Sequence, residues 1–429
     1  MFKTFIDLFK NKEIRGKIYF TLGMLFVFKF GSTIPVPGVD ASQIASAVEN
    51  NSILGIMNML GGGSLQQMSV FALGVSPYIT ASIIIQLLSM DVIPALTEMT
   101  KSGHQGRKKM DKITRYVTIV LAYVQALSMV MMFDRSYGIL ENGNIGTYLY
   151  VSTILTAGTM FLLWIGDRIT SKGIGNGISF IIFAGIAAKM PFTFSSVYNV
   201  LVDTSSQSAM MSGLISFGLY VIMYIAIILL VVFMQLATRK IPIQYTSSGS
   251  MKRTNDRTYL PLKINSASVI PVIFAQAIIT APQIVVSFVN PTLYNKMQSV
   301  LSLTEPVGLI LYVVLIVLFT FFYTNLQVDP KKISENLNKS GSYIPGVRPG
   351  KETAEYLSTV LNRITVLGAM FLTVIAVLPY LLAMFTNIGT SAALGGTGII
   401  IVVGVAMETV KQLKGQLTQK AKYTGFVSR

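Results

Sequence analysis

The sequence has no cysteine and only one histidine, His104. Disulfide bonds and thiolate metal centres are therefore excluded. His104 lies in the basic stretch KSGHQGRKKMDK and has no second histidine with which to share a metal ion, so we expect no metal site. The chain also has no HExxH, GxSxG or Walker phosphate loop. Because these patterns mark common classes of enzyme, their absence leads us to expect neither a cofactor nor an enzymatic activity.

Charge is scarce as well. Only 12% of the 429 residues are charged, whereas soluble domains carry about 25%. The mean hydropathy is +0.61. No charged residue lies between Asp203 and Arg239, or between Arg363 and Glu408. A helix needs roughly 20 apolar residues to cross the hydrocarbon layer, so the first run holds one span and the second holds two. The composition predicts an all-α polytopic membrane protein.

The apolar runs predict ten transmembrane helices. Five spans plus five spans give two halves of opposite orientation, which is the arrangement of an inverted repeat. The first half covers 18–191 and the second half covers 213–413, followed by a tail at 414–429. The predicted spans are 18–34, 70–90, 113–133, 147–166, 174–191, 213–236, 267–289, 307–328, 364–385 and 398–413.

The N-terminal segment, residues 1–17, precedes the first span. Phe2, Phe5, Ile6 and Phe9 follow the spacing i, i+3, i+4, i+7, which predicts an amphipathic helix on the membrane surface. A disordered basic tail is the alternative. The first apolar run contains Lys29 and leads into IPVPG without a small-residue cleavage site, so we expect no cleavable signal peptide.

The distribution of Lys and Arg predicts the orientation. With the N-terminus, the even-numbered loops and the C-terminus on one side, 30 of the 34 Lys and Arg residues lie on that side and only 3 on the other. Both termini are therefore expected in the cytoplasm. The one-sided charge has two interpretations, which are topology alone or a docking surface for partners.

Two cytoplasmic loops, about 238–266 and 329–362, are longer than the other connections and are basic. Long ordered loops tend to be functional. The runs IPIQY and RTYLPLKI in the first loop flank turn residues and predict a β-hairpin. In the second loop, Arg348 stands between Pro345 and Pro349, which restrict the backbone around it. Ordinary inside positive charge is the simpler interpretation of that arginine.

The spans themselves are almost free of charge, and Lys29 is the exception. Any path through the protein would therefore be lined by uncharged groups, and apolar constrictions can gate a path by excluding water. Val75 and Ile79 form an i, i+4 pair of β-branched residues, as do Ile178 and Ile182. Packed or lipid-facing residues are the competing explanation for both pairs.

Five separated motifs resemble those of the SecY family, whose members form the channel of the bacterial protein translocon. The motifs are FALGVSPYITASIIIQLL, GIGNGISFIIFAGI, LPLKINSASVIPVIFA, KSGSYIPGVRPGKET and GGTGIIIVV. They occur in family order over nearly the whole chain. The resemblance implies an hourglass pore between the two five-helix halves, in the bacterial plasma membrane. Such a channel would pass unfolded secretory polypeptides and release membrane helices sideways into lipid.

The resemblance also implies a plug, a short re-entrant helix at about 52–67 that closes the channel from outside. Gly61, Gly62 and Gly63 would give it the backbone freedom to move, and Pro77 would allow a bend beside it. A glycine-rich external loop is the alternative. The plug residues expected from the resemblance are Ile56, Met57, Leu60, Gly61, Gly62 and Gly63.

Two further sites follow from the resemblance. A waist of aliphatic side chains, the pore ring, would consist of Val75, Ile79, Ile178, Ile182, Ile273 and Ile401. A lateral gate would lie between the second and third spans on one side and the seventh and eighth on the other, with Gln86, Gln125 and Asn265 in it. Ordinary helix-packing polarity is the competing interpretation of these amides.

Partners are implied in the same way. SecE-like and SecG-like small membrane subunits, the SecA motor ATPase, the ribosome, signal sequences, translocating polypeptides and membrane lipids would contact the chain. Docking would use Arg239, Lys240, Lys252, Arg253 and Arg348. The main alternative function is a secondary transporter for a small solute, which would need charged or clustered polar groups at mid-membrane. A scaffold without a through-pore is a third possibility.

Overall fold

The structure is a computed structural model that describes residues 11–40, 44, 58, 61–89, 93–140, 143–202, 207–245, 258–289, 291–303, 305–385 and 390–427. Helices dominate these ranges. They are α1 (Lys12–Gly31), α2 (Ser76–Leu88), α3 (Pro94–Lys101), α4 (Gly103–Tyr137), α5 (Ile145–Lys172), α6 (Gly177–Leu201), α7 (Gln207–Leu236), α8 (Ile270–Val289), α9 (Pro291–Leu301), α10 (Pro306–Gln327), α11 (Pro330–Lys339), α12 (Lys351–Phe385) and α13 (Thr390–Val427).

Each of the ten predicted spans overlaps one of these helices: α1, α2, α4, α5, α6, α7, α8, α10, α12 and α13. Within the described ranges, six helices are long and apolar enough to cross a membrane, namely α4, α5, α6, α7, α10 and α12. The helix α2 and the first part of α8 are apolar but shorter. The all-helical membrane fold predicted from composition is confirmed, while the number of spans stays a prediction.

The start of α2 differs from the prediction. Residues 61–75 form turns, and the helix begins at Ser76. Pro77 therefore lies in the first turn, where its missing N–H has no helical partner to lose. The expected bend at Pro77 is wrong for this reason, because the proline starts the helix and does not interrupt it.

Each half forms its own bundle. In the first half, α5 packs against α1, α4 and α6, and α2 packs on α4. In the second half, α10 packs between α8 and α12, and α13 lies against α12 and α7. The halves meet along two seams. At the α6 seam, α6 contacts α7 and α13; at the α8 seam, α8 contacts α2 and α4. The largest apolar cluster includes residues from both halves, so the principal core crosses the interface.

The two long loops combine into one small sheet. The strands β1 (Thr238–Tyr245) and β2 (Thr258–Lys263) pair antiparallel, with Ile241 opposite Leu260, so the predicted β-hairpin is confirmed. A short strand from the second loop, β3 (Ser342–Tyr343), pairs with the other edge of β1. Ile241, Leu262 and Ile344 share a buried cluster with α12 residues. The sheet thereby fixes the loops to the helical body.

Candidate functional site

The six residues of the predicted pore ring come from four parts of the chain. Val75 directly precedes α2 and Ile79 lies in its first turn, while Ile178 and Ile182 lie on α6, Ile273 on α8 and Ile401 on α13. All six belong to the largest apolar cluster. Val75, Ile182 and Ile401 are buried, and the other three are partly buried against the cluster. The structure thus brings both halves' ring residues into one cluster; their arrangement as a ring stays a prediction.

A close helix contact positions the start of α6, which carries the ring residues Ile178 and Ile182. The Asn176 side chain accepts hydrogen bonds from the N–H of Ile178 at 3.1 Å and of Ser179 at 3.4 Å, which starts the helix. A Cβ on Gly177 would clash with the carbonyl oxygen of Gly166 on α5. Only glycine permits this approach, so the GIGNG stretch fixes where α6 begins relative to α5.

Part of the predicted plug can be described. Ile56, Met57 and Leu60 lie outside the described residues, whereas Gly61, Gly62 and Gly63 lie within them. Gly62 has φ +71°. A Cβ on it would meet Phe28 at 3.0 Å and the Gly185 Cα at 3.1 Å. Gly62 therefore allows close contact with α1 and α6, so this glycine packs tightly and does not loosen the segment as expected.

Hydrogen bonds fold the predicted plug and the residues directly after it into a compact turn. The buried Asn58 side-chain oxygen accepts hydrogen bonds from the N–H groups of Leu65 at 3.1 Å and Gln66 at 3.2 Å. The backbone carbonyl of Asn58 accepts a third from the N–H of Gly63 at 2.8 Å. Ser64 Oγ donates to the Phe71 carbonyl at 2.7 Å. Leu65 and Met68 are fully buried in a second apolar cluster with residues of α4 and α5. The segment is a compact turn system seated on the first half.

Lys29, the one charged residue of the first predicted span, contacts this segment. Its Nζ donates a hydrogen bond to the Gly62 carbonyl at 3.2 Å. This contact of Lys29 was not predicted from the sequence. An isolated charge inside an apolar span was the available signal, because such a charge needs a partner or a path to water. The segment is therefore seated by apolar contact with Phe28 and by a charge-assisted bond from the neighbouring residue.

The predicted gate amides belong to segments that meet or adjoin at the seam of α8 with α2 and α4. Gln86 is on α2, Gln125 is on α4, and Asn265 precedes α8, which contacts both helices. Asn265 is buried, and within the described part of the chain neither of its side-chain polar atoms has a hydrogen-bond partner. The side-chain oxygens of Gln86 and Gln125 are likewise unpaired among the described residues. A hydrogen-bonded network among the three is therefore not formed in this conformation.

Charged groups on α4 and α5 form two contacts at one end of these helices. Asp167 on α5 forms an ion pair with Arg115 on α4 at 2.8 Å. The Arg168 guanidinium lies over the ring of Trp164, 5.2 Å from its centroid. The Arg115–Asp167 pair joins α4 to α5 and so helps to hold the first half together.

The predicted docking residues fall into two groups. Arg239 and Lys240 are exposed on β1, and Arg348 is exposed in the turn between β3 and α12. Lys252 and Arg253 lie outside the described residues. Since β1 and β3 pair directly, the two long loops present their basic residues from one sheet. Arg348 forms a loose ion pair with Glu352 at 3.7 Å.

The SecY family model matches residues 69–410 of the chain. Relatives named protein translocase subunit SecY are 47% identical in Bacillus licheniformis, 46% in Bacillus subtilis and 44% in Staphylococcus carnosus, each aligned over all of both chains. The chain belongs to the SecY family.

Solved structures share the fold. A structure described as a protein conducting channel has a TM-score of 0.64 at 20% identity, covering 93% of this chain and 91% of its own. The yeast Ssh1 complex bound to the yeast 80S ribosome has a TM-score of 0.64 at 15% identity, covering 92% and 89%. The two-half helical architecture is therefore that of this family.

Proposed function

We propose that the chain is a protein-conducting channel. It passes unfolded secretory polypeptides across the bacterial plasma membrane. The observation that carries this proposal is the aliphatic cluster shared by both halves, which contains all six ring positions. Branched aliphatic side chains can deform around a passing chain and offer no charge at which ions bind. Membership of a family whose relatives are named translocase subunits supports the same conclusion.

The plug of this channel includes the segment that carries Gly62. In the resting state it is seated on α1 and α6 by Phe28, Gly185 and the Lys29 hydrogen bond. An arriving polypeptide displaces it toward the outside. Displacement breaks these contacts at Gly62, and it also exposes Leu65, which is buried against α4 and α5.

The lateral gate is the seam of α8 with α2 and α4. Signal sequences bind there, and membrane helices leave there for lipid. The amides of Gln86, Gln125 and Asn265 support this assignment, because their buried side-chain oxygens have no hydrogen-bond partner among the described residues and gain hydration when the seam opens.

Energy comes from partners, and the chain itself is not an enzyme. The basic sheet formed by the two long loops docks the SecA motor ATPase or the ribosome, with Arg239, Lys240, Lys252, Arg253 and Arg348 as contacts. The resemblance of the fold to a ribosome-bound complex supports the ribosome as a partner. Both termini face the cytoplasm, as the Lys and Arg distribution indicates. SecE-like and SecG-like subunits cover part of the lipid-facing surface.

A secondary transporter for a small solute is less well supported. It would need ionisable or clustered polar groups at mid-membrane. The one charge inside the first span, Lys29, is bonded to a backbone carbonyl, and the curated relatives are named for protein translocation. No observation favours a substrate or coupling-ion site.

The absence of cysteine makes the channel directly testable. A single cysteine replaces Ile182, which is buried in the cluster, or Leu318, whose side chain faces outward on α10 and is 53% exposed. A secretory polypeptide with its own cysteine is stalled midway in the complete complex. We expect a disulfide at 182 and none at 318. Translocation without an adduct at 182, or equal adducts at both positions, would contradict the proposed waist.

A further inference from the structure

Two buried hydroxyl groups hold the turn that carries Arg348. Thr353 Oγ1 donates a hydrogen bond to the carbonyl oxygen of Arg348 itself at 2.8 Å. Ser334 Oγ, on α11, donates to the carbonyl oxygen of Gly350 at 2.7 Å. Thr353 is 2% exposed and Ser334 is 4% exposed, so water competes poorly for either bond. The backbone on the C-terminal side of Arg348 is thus fixed from two different helices.

The rest of the turn is fixed by its own backbone. Val347 N–H donates to the Ile344 carbonyl at 3.1 Å, and Ile344 is buried against β1 and α12. Gly346 and Gly350 adopt φ +81° and +100°, which other residues rarely adopt. Both ends of the turn are therefore anchored, while the Arg348 side chain is 87% exposed. A rigid backbone that carries an exposed guanidinium resembles a preorganised contact more than a flexible loop.

The local partner of Arg348 indicates which chemistry it suits. Glu352 lies 3.7 Å from the guanidinium and is itself 56% exposed. Exposed pairs of this kind contribute little, so a carboxylate of another protein can replace Glu352 at small cost. A guanidinium forms a two-pronged pair with a carboxylate or with a phosphate. Because the partner of Arg348 within the chain is a carboxylate, that of Glu352, we take an acidic protein site as its target, and ribosomal RNA is the alternative that the test distinguishes.

We propose that Thr353 and Ser334 are positioning residues, which hold Arg348 in the conformation that binds an acidic site on the motor ATPase. This inference rests on the proposed docking role of the loop. Its physical basis is preorganisation, because the apparent affinity falls in proportion to the fraction of turns in the binding conformation. Neither hydroxyl needs to touch the partner.

The test replaces Thr353 with Val, which keeps the shape and removes the donor. The complete channel complex in membrane vesicles is titrated with purified SecA. We expect the Kd of Thr353→Val to rise about three- to tenfold, the range expected for one lost hydrogen bond. Ser334→Ala should act in the same direction, and Thr353→Ser should restore the affinity. Thr359→Val is the matched control, because Thr359 is an exposed threonine of α12 bonded only within its helix.

A double-mutant cycle separates positioning from a general structural effect. If Thr353 acts through Arg348, the Thr353→Val effect disappears in an Arg348→Ala background. Thr353→Val should also keep the salt dependence of binding, since the charge remains, whereas Arg348→Ala should reduce it. An additive effect in the cycle would overturn the inference.

Failure of the inference is distinguishable from failure of the docking proposal. If Arg348→Ala leaves the SecA affinity unchanged, the docking role of the loop is wrong. If Arg348→Ala weakens binding but Thr353→Val and Ser334→Ala do not, only the positioning role is wrong. Ribosome binding is measured in parallel, and a loss confined to ribosomes would overturn the choice of an acidic protein partner.

Discussion

Gly62→Ala tests the proposed plug seat most directly. The new Cβ meets the Gly185 Cα on α6 at 3.1 Å, where a backbone must shift, and Phe28 at 3.0 Å, where a ring can turn. Overpacking of this kind costs about 1–3 kcal/mol. The left-handed backbone at φ +71° adds about 1–2 kcal/mol for a residue with a Cβ. The seated state should therefore be weakened by about 2–5 kcal/mol in total.

Gly63→Ala is the matched control. Gly63 also has a left-handed backbone, at φ +89°, but a Cβ there meets nothing within 4 Å. It carries only the backbone strain of about 1–2 kcal/mol. The difference between the two variants isolates the contacts with Phe28 on α1 and Gly185 on α6. Since 1.4 kcal/mol corresponds to a tenfold change in an equilibrium, a difference of about 1–3 kcal/mol should make the unseated population about five- to 150-fold higher in Gly62→Ala than in Gly63→Ala.

The assay is the ion conductance of resting channel complexes in planar bilayers, with no secretory polypeptide present. An unseated plug leaves only the aliphatic waist as a barrier, so conductance events should become more frequent. We expect frequent events in Gly62→Ala, fewer in Gly63→Ala and rare events in the unmodified channel. Equal conductance of the two variants would refute the reasoning, because the contacts with α1 and α6 would then contribute nothing to the closed state.

Three further substitutions test neighbouring features. Lys29→Met removes the hydrogen bond to the Gly62 carbonyl, which is worth about 1 kcal/mol. The resting conductance in the same bilayer assay should therefore rise about fivefold. Lys29→Arg keeps a charged donor and should largely preserve the low conductance. Gly177→Ala drives a Cβ into the Gly166 carbonyl and should lower the Tm of the complex in detergent, whereas Gly218→Ala, which meets nothing within 4 Å, should not. Asn265→Leu removes a buried amide without partners among the described residues, so the closed seam should be stabilised by about 1–3 kcal/mol. Membrane helices should then leave the channel more slowly, which is followed by their crosslinking to lipid. Faster release would contradict the proposed gate.

The helical spans were predictable because they depend on composition over long windows. Charge-free runs of the length of the hydrocarbon layer leave few alternatives to a membrane helix. The β-hairpin was also predictable, since IPIQY and RTYLPLKI carry strand-forming residues around a turn. In both cases many residues contribute to the same signal, so a local exception does not change the outcome.

Single-residue roles were harder to predict because they depend on contacts between distant parts of the chain. Pro77 fits a helix interior or a helix start equally well until the start of α2 at Ser76 is known. A glycine at position 62 predicts a flexible backbone, yet its close neighbours on α1 and α6 make Gly62 a contact residue. Thr353 and Ser334 look like ordinary polar residues, and the carbonyl groups they bind are identified only by the folded turn.

The contacts at the two seams favour the proposed gate at α8 over a gate at α6. At α6 the halves meet across α7 and α13, and α6 is further fixed by glycine-mediated contact with α5. The elements that meet at α8 carry Gln86, Gln125 and Asn265, whose buried side-chain oxygens have no partners among the described residues. Opening to water or to a signal sequence gives those atoms hydrogen-bond partners. The free energy gained offsets part of the cost of exposing apolar surface at the seam. We therefore expect opening at α8 to be opposed by less free energy than opening at α6, with α6 as the fixed side around which the halves separate.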